Sequence, residues 1–368
     1  MYRGHLRLGA LALLALGGAT GSASALETRT FVVSAFWQAA SSADGDCRDG
    51  INPDIQVQYE RNLIALGKTS SEAKAIIARQ GEYGEGELSE LMNDRARIDG
   101  RPVNAYAHPA AVADPKLNAV TGRIAYGFDL DGKGADDLDG FEEPDTKEKG
   151  IDNQAFRALG CSRPYRGSKE APGAYWAFVA VTIKDTSPAW LLTIAGEDLD
   201  KDGPVTVIFD RALEYAKSNP DGTTRPYMTY RVDPNPSSHN EFKGEIKNGV
   251  LTLTEHKPFF MTHSVMYAPH VKLRNTHLRL DMKPDGTVDG FIGGYQPWRD
   301  VYFGVAWAGQ AGEITVSGEI PGLFHLLRKH ADADPDPATG ENREISITYR
   351  LIAVPAFHAH VDQQRAGK

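Results

Sequence analysis

The sequence predicts a mainly β protein with helical additions (α+β), an antiparallel β-sandwich or barrel carrying an N-terminal helical part. Three observations predict it. Short β-branched and aromatic runs separated by turn residues fill the chain after residue 170; the segment before residue 100 carries helical periodicity; and the two regions are joined by a long acidic loop with no periodic apolar residues. The expected organisation is a signal peptide at 1–25, a helical part with the acidic loop at 26–165, and an antiparallel β domain at 166–368 packed on it.

Residues 1–25 have the three parts of a secretory signal. Arg3 and Arg7 form the basic region, Leu8 to Leu16 the apolar stretch, and Ala23 and Ala25 the small pair read at cleavage. The apolar stretch is too short for a membrane span, which needs about 20 residues, and no later segment reads as one. A periplasmic or secreted mature chain of 343 residues is expected. Losing Arg3 and Arg7 takes its net charge from -9 to -11, a balance that repels nucleic acid and anionic lipid. Cys47 and Cys161, the two cysteines of the chain, are expected to pair as one disulfide in that oxidising setting.

Residues 28–37, TRTFVVSAFW, read as a first strand. Ile55, Tyr59, Leu63 and Leu66 share a helical face that stops at Gly67; Thr69 or Ser70 caps a second helix; a third runs from Glu87 to about Ile98. From Tyr126 to Asp152 the chain is an acidic, glycine-bearing loop, of a length that is usually functional or held by something. Strands are then predicted at 175–183, 190–194, 205–209, 227–232, 250–254, 276–282, 287–292, 314–319 and 345–352. Pro284, Asp285 and Gly286 mark the clearest hairpin bend, and helices are predicted from about Pro297 to Ala308 and from Pro321 onward.

The strongest chemical signal is carboxylate-rich loops of the kind that bind calcium, which takes six to eight oxygens from clustered acids and carbonyls. The first holds Asp129, Asp131, Asp136, Asp137 and Asp139, with Asp152 and Asn153 further on; the second is Asp198, Asp200 and Asp202 before Gly203. The second opens like an EF-hand loop, but Phe209 stands where the bidentate Glu belongs and a strand follows, so only a looser calcium loop remains. A third segment, Asp332, Asp334, Asp336 and Glu341, also qualifies in composition, while the first departs from the EF-hand spacing, with Lys133 where a ligand should be.

His358 and His360, at alternate positions of a strand, offer ligands to a transition metal. His256, His263, His270 and His277 recur every seven residues, but Pro258 and Pro269 forbid a helix that would align them. The aromatic residues of GGYQPWRDVYFGVAW, Tyr295, Trp298, Tyr302 and Trp307, form either a stacking surface or packing against the sheet, with helical spacing favouring packing. No GxSxG elbow, HExxH helix or CxxCH haem site occurs, and GKTS at 67–70 lacks the leading glycine and preceding strand of a phosphate loop.

The combination of GFDLDG at 127–132, GIDNQ at 150–154 and GGYQPW at 293–298 resembles a family of exported bacterial proteins of uncharacterised activity. The resemblance covers about half the chain and implies no reaction; it draws attention to Asp152 and Asn153 as ligands or as a structural clasp. The sequence therefore favours a non-enzymatic, calcium-stabilised protein that binds a ligand or protein partner. The alternative is an extracellular hydrolase or lyase acting on carbohydrate or another polymer, its paired carboxylates serving as acid and base. A histidine-bound redox metal protein comes third.

Overall fold

The computed structural model describes residues 26–40, 42–81, 85–262, 270–306 and 308–360; the signal segment, His263 and Trp307 lie outside them. Eight strands form one closed antiparallel ring: β1 (Glu27–Gln38), β2 (Pro188–Gly196), β3 (Gly203–Tyr215), β4 (His239–Lys247), β5 (Val250–Leu253), β6 (His270–Met282), β7 (Val288–Pro297) and β8 (Asn342–Ala359). Each pairs with the next in sequence, and β8 returns to β1 with Phe31 opposite Pro355 and Phe36 opposite Leu351. The predicted β domain is thus an up-and-down barrel, which has no free edge along the ring.

Alternation along the strands decides what faces where. On β4, Phe242 and Ile246 are buried while Glu241, Lys243, Glu245 and Lys247 are exposed. Four charges on one outer face belong against water, because each would be costly in a lipid-facing band. No helix among the described residues is long and apolar enough to cross a membrane.

An antiparallel meander puts alternate connections at opposite ends. At one end they are short turns, 197–202, 248–249 and 283–287; in the last, Gly286 N–H donates to the Lys283 carbonyl and Lys283 N–H to that of Thr287. At the other end they are long and carry the helices. The β1–β2 connection holds α1 (Ile55–Ala65), α2 (Ser70–Ala78), α3 (Glu87–Asn93), α4 (Gln154–Leu159) and α5 (Ala174–Thr186); the β7–β8 connection holds α6 (Trp298–Ala306), α7 (Gly309–Val316) and α8 (Ile320–His330). The helical part is an insertion between the first two barrel strands, so β1 at 27–38 belongs to the barrel and not to the helical unit that begins the expected division.

The helices plug their end of the barrel. Leu323, Phe324 and Leu327 of α8, with Trp298 and Tyr302 of α6, join the same core as the barrel interior. Beneath them Phe36 packs on Tyr349 and Trp190, with ring centroids 4.7 and 5.0 Å apart. Helices α1 to α3 close on a small core of their own around Tyr59, Leu63, Ile76 and Met92, and Thr69 caps α2 through a reciprocal bond with Glu72.

Two predicted strands are helices. Residues 175–183 lie within α5: Tyr175 and Val179 are four apart and both point into the core, a spacing that a short apolar run shares with a buried strand. Residues 314–319 fall partly in α7, which ends at Ser317 in the left-handed conformation, followed by Glu319 capping α8. The third predicted helix stops at Asn93, where Ala96–Ile98 turns into a two-stranded ribbon with Arg101–Val103. Cys47 and Cys161 form the expected disulfide, 114 residues apart, and it ties the start of the insertion to the segment just after α4.

Candidate functional site

The candidate sites are an acidic clasp on the barrel wall and the open mouth at the short-turn end. The clasp is built where the three noted motifs meet. Tyr126 stacks on Phe291 at 4.7 Å, Phe128 and Leu130 pack with Tyr295, and Phe128 pairs with Asp152 in an isolated antiparallel bridge. The glycines explain how closely these segments approach. A Cβ on Gly293 would sit 2.9 Å from the Phe128 ring and 2.8 Å from Thr348 Oγ1; Gly150 has a φ of +78° and would strike the Gly134 carbonyl.

This folding gathers Asp129, Asp131 and Asp152, whose carboxylate oxygens lie within 4.8 Å of one another. Asp152 Oδ2 accepts from Leu130 N–H at 2.7 Å, and Asp129 accepts from Gly132 N–H at 2.8 Å and Gly134 N–H at 3.1 Å. Lys133 Nζ reaches Asp131 at 2.5 Å, already supplying one positive charge. Burial, reinforced by the negative charges of Asp131, Asp332 and Asp137, lifts Asp152 from its ordinary range to about 7. Asp332, whose Oδ1 accepts from Ser346 N–H, is likewise pushed up to about 6, chiefly by burial. Oxygen-only donors with one buried, strained carboxylate suit a hard cation such as calcium, which would relieve the repulsion the protein otherwise holds.

The other residues of the first loop have structural duties. Asp137 accepts from Asp139 N–H at 2.9 Å, and the Asp139 carbonyl accepts from Arg157 Nη2 at 2.7 Å. Asn153 caps α4 by accepting from Phe156 N–H and donates to the Tyr126 carbonyl at 2.8 Å. Fully buried Glu143 receives Arg279 of β6 at 2.6 Å, so the loop is bolted to the barrel wall by an ion pair.

In the second loop the carboxylates face protein partners: Asp198 pairs with Lys201 at 2.6 Å, Asp200 with Arg29 at 2.8 Å, and Asp202 accepts from Asn248 N–H at 2.7 Å. In the third, Asp334 pairs with Arg343 at 2.8 Å and Glu341 with Arg328. His358 Nδ1 lies 2.7 Å from Thr30 Oγ1, with the His360 ring 5.2 Å away. His256 and His277 stack face to face at 3.8 Å, and burial with that neighbour lowers His277 to about 4; His270 lies 3.5 Å from Asp300. Tyr295, Trp298 and Tyr302 are all buried, as packing requires.

The mouth was not singled out from sequence. It is a cavity of about 720 Å3 rimmed by all three short turns and the ends of β1 and β8. Phe31, Leu199, Ile246 and Met282 supply apolar wall, and Tyr227 and Phe357 are large apolar side chains left more than half exposed beside it. Most rim charges are paired in place, Arg29 with Glu27 and Asp200, Lys201 with Asp198 and Lys283 with Asp281, while Asp202 accepts from Asn248 N–H. A size of this order is that of small-molecule sites, which are mostly apolar with few polar groups. No protein-family model, curated protein or solved structure matches the chain.

Proposed function

We propose that this chain is an exported, calcium-stabilised barrel that binds a small amphiphilic ligand at its open mouth. The observation that carries the reading is the asymmetry of the barrel: one end is plugged by helices, the other opens into a cavity of about 720 Å3 with apolar residues on its wall and charged residues on its rim. Such a mouth accepts an apolar body and leaves a polar end at the rim. Export rests on the N-terminal signal pattern and agrees with the disulfide. Calcium rests on the Asp129, Asp131 and Asp152 cluster, with the ion holding the acidic loop against the wall.

The test uses the mature chain from Leu26 and the fluorescent amphiphile 8-anilinonaphthalene-1-sulfonate. Met282→Glu places a negative charge in the cavity from a half-buried position, where it opposes the probe's sulfonate. It is expected to weaken probe binding at least tenfold while the thermal midpoint stays close to wild type. Equal binding by the two proteins would remove the mouth as the ligand site.

A further inference from the structure

At the plugged end of the barrel three hydrogen-bond donors, Gln38 Nε2, Tyr165 Oη and Trp176 Nε1, are shut off from solvent and have no partner among the described residues. Gln38 is 2% exposed and Tyr165 1%. All three line the same narrow cleft, between the barrel strands and helices α5, α6 and α8. Gln38 lies on the inward face of β1, two residues beyond Phe36 and opposite Tyr349. Tyr165 and Tyr175 face each other at 5.1 Å, and the Trp176 ring stands edge-on to Tyr349 at 6.1 Å. Buried donors are costly when unpaired and native proteins satisfy nearly all of them. Three on one cleft point to an acceptor that is not part of the chain.

We propose that this cleft is a second binding site, for the carbonyl head of a small uncharged molecule. The acceptor is uncharged because no lysine or arginine lines the cleft among the described residues, while Asp300 lies at its edge beside His270. The molecule is small because the whole cleft holds about 40 Å3, room for roughly three waters or a group of similar size. Its part beside the carbonyl is apolar because Phe36, Tyr175, Val301, Leu323 and Leu327 form the walls. The cleft reaches solvent at His270 and Asp300, whose side chains are 32% and 39% exposed. This site lies at the opposite end from the mouth and does not depend on the reading of it.

The test follows the indole N–H signals of the 15N-labelled mature protein. The chain has five tryptophans; those of Trp190 and Trp298 donate to the carbonyls of Thr262 and Asn342, and Trp176→Phe identifies the Trp176 signal by its loss. Acetone is expected to move that signal downfield saturably. 2-Methylpropene, which has the same shape but lacks the acceptor, and acetate, which is charged, are expected to bind at least tenfold more weakly. Tyr165→Phe and Gln38→Leu should each weaken acetone at least fivefold, with the thermal midpoint unchanged or raised because an unpaired buried donor is gone. Met282→Glu should leave this binding intact. Equal affinity for 2-methylpropene, tighter binding of acetate, or no saturable shift with acetone on the folded protein would overturn the proposal, the last meaning that the donors meet only ordered water.

Discussion

Replacing Arg95 with methionine is expected to destabilise the protein by about 3–5 kcal/mol, the usual cost of stranding a buried charge. Arg95 follows α3, and its guanidinium is almost wholly buried. It reaches Glu313 of α7 at 3.2 Å and Glu319, the cap of α8, at 2.5 Å. Tyr106 Oη donates to Glu313 at 2.8 Å, Ile320 N–H to the same carboxylate, and Tyr302 Oη to the Tyr106 carbonyl. One cation between two buried carboxylates leaves a surplus negative charge, and burial pushes Glu313 above the ordinary carboxylate range. Methionine fills most of the volume but leaves two acids facing each other with no counter-charge. Glu313→Gln, which removes the surplus, should cost far less than Arg95→Met. Urea unfolding of the three proteins checks the order; equal losses for both variants would mean that packing and not charge dominates there.

The second large effect concerns the clasp. Asp152 ordinarily titrates near 3.8 and is lifted to about 7 in the fold. Between those values the folded state holds a proton that the unfolded state has released, so stability falls as pH rises from about 4 to about 7 and is flat above. Asp332, lifted to about 6, adds to the same window. For Asp152 alone the displacement corresponds to at most ~4 kcal/mol. In EDTA the protein should therefore be more stable at pH 5 than the clasp permits at pH 8, and added calcium should restore stability at pH 8 while doing little at pH 5. Asp152→Asn should invert the dependence on the ion. In EDTA at pH 8 it should be as stable as wild type or more so, and with calcium less stable. Thermal unfolding of both proteins at the two pH values reads this out; an EDTA-insensitive midpoint at pH 8 would remove calcium from the clasp.

How much of this was legible in sequence varied with the range of the interaction. Local devices were readable: the Thr69 cap, the bend at Pro284, Asp285 and Gly286, and the helices starting at Ile55 and Pro321 are decided within a few residues. Strand against helix failed at Tyr175 and Ile314, where a short apolar run fits either period; at Tyr175 burial against the barrel end chose the helix. Closure of the ring was not readable, because Phe31 meets Pro355 across almost the whole chain and no local signal sets that register. The alternating apolar residues that line the mouth, such as Phe31, Ile246 and Met282, look like any strand core until the ring closes. At the clasp, composition singled out Asp129, Asp131 and Asp152, but not that Asn153 would be spent on capping α4 or that Asp332 would arrive beside them from α8. Arg95 carried no signal, since an arginine within a predicted helix is ordinarily a surface residue.

The reading of the mouth as the ligand site is tested most directly by labelling the methionine methyl groups with 13C and titrating the mature protein with octanoate. Met282 lies in the mouth, whereas Met92 lies in the separate core of α1 to α3 and Met261 is fully buried in the barrel core. The account predicts a saturable shift of the Met282 methyl signal with Met92 unmoved. Saturable binding that moves other methyl groups and leaves Met282 unchanged, or no binding of the amphiphile at all, would contradict it.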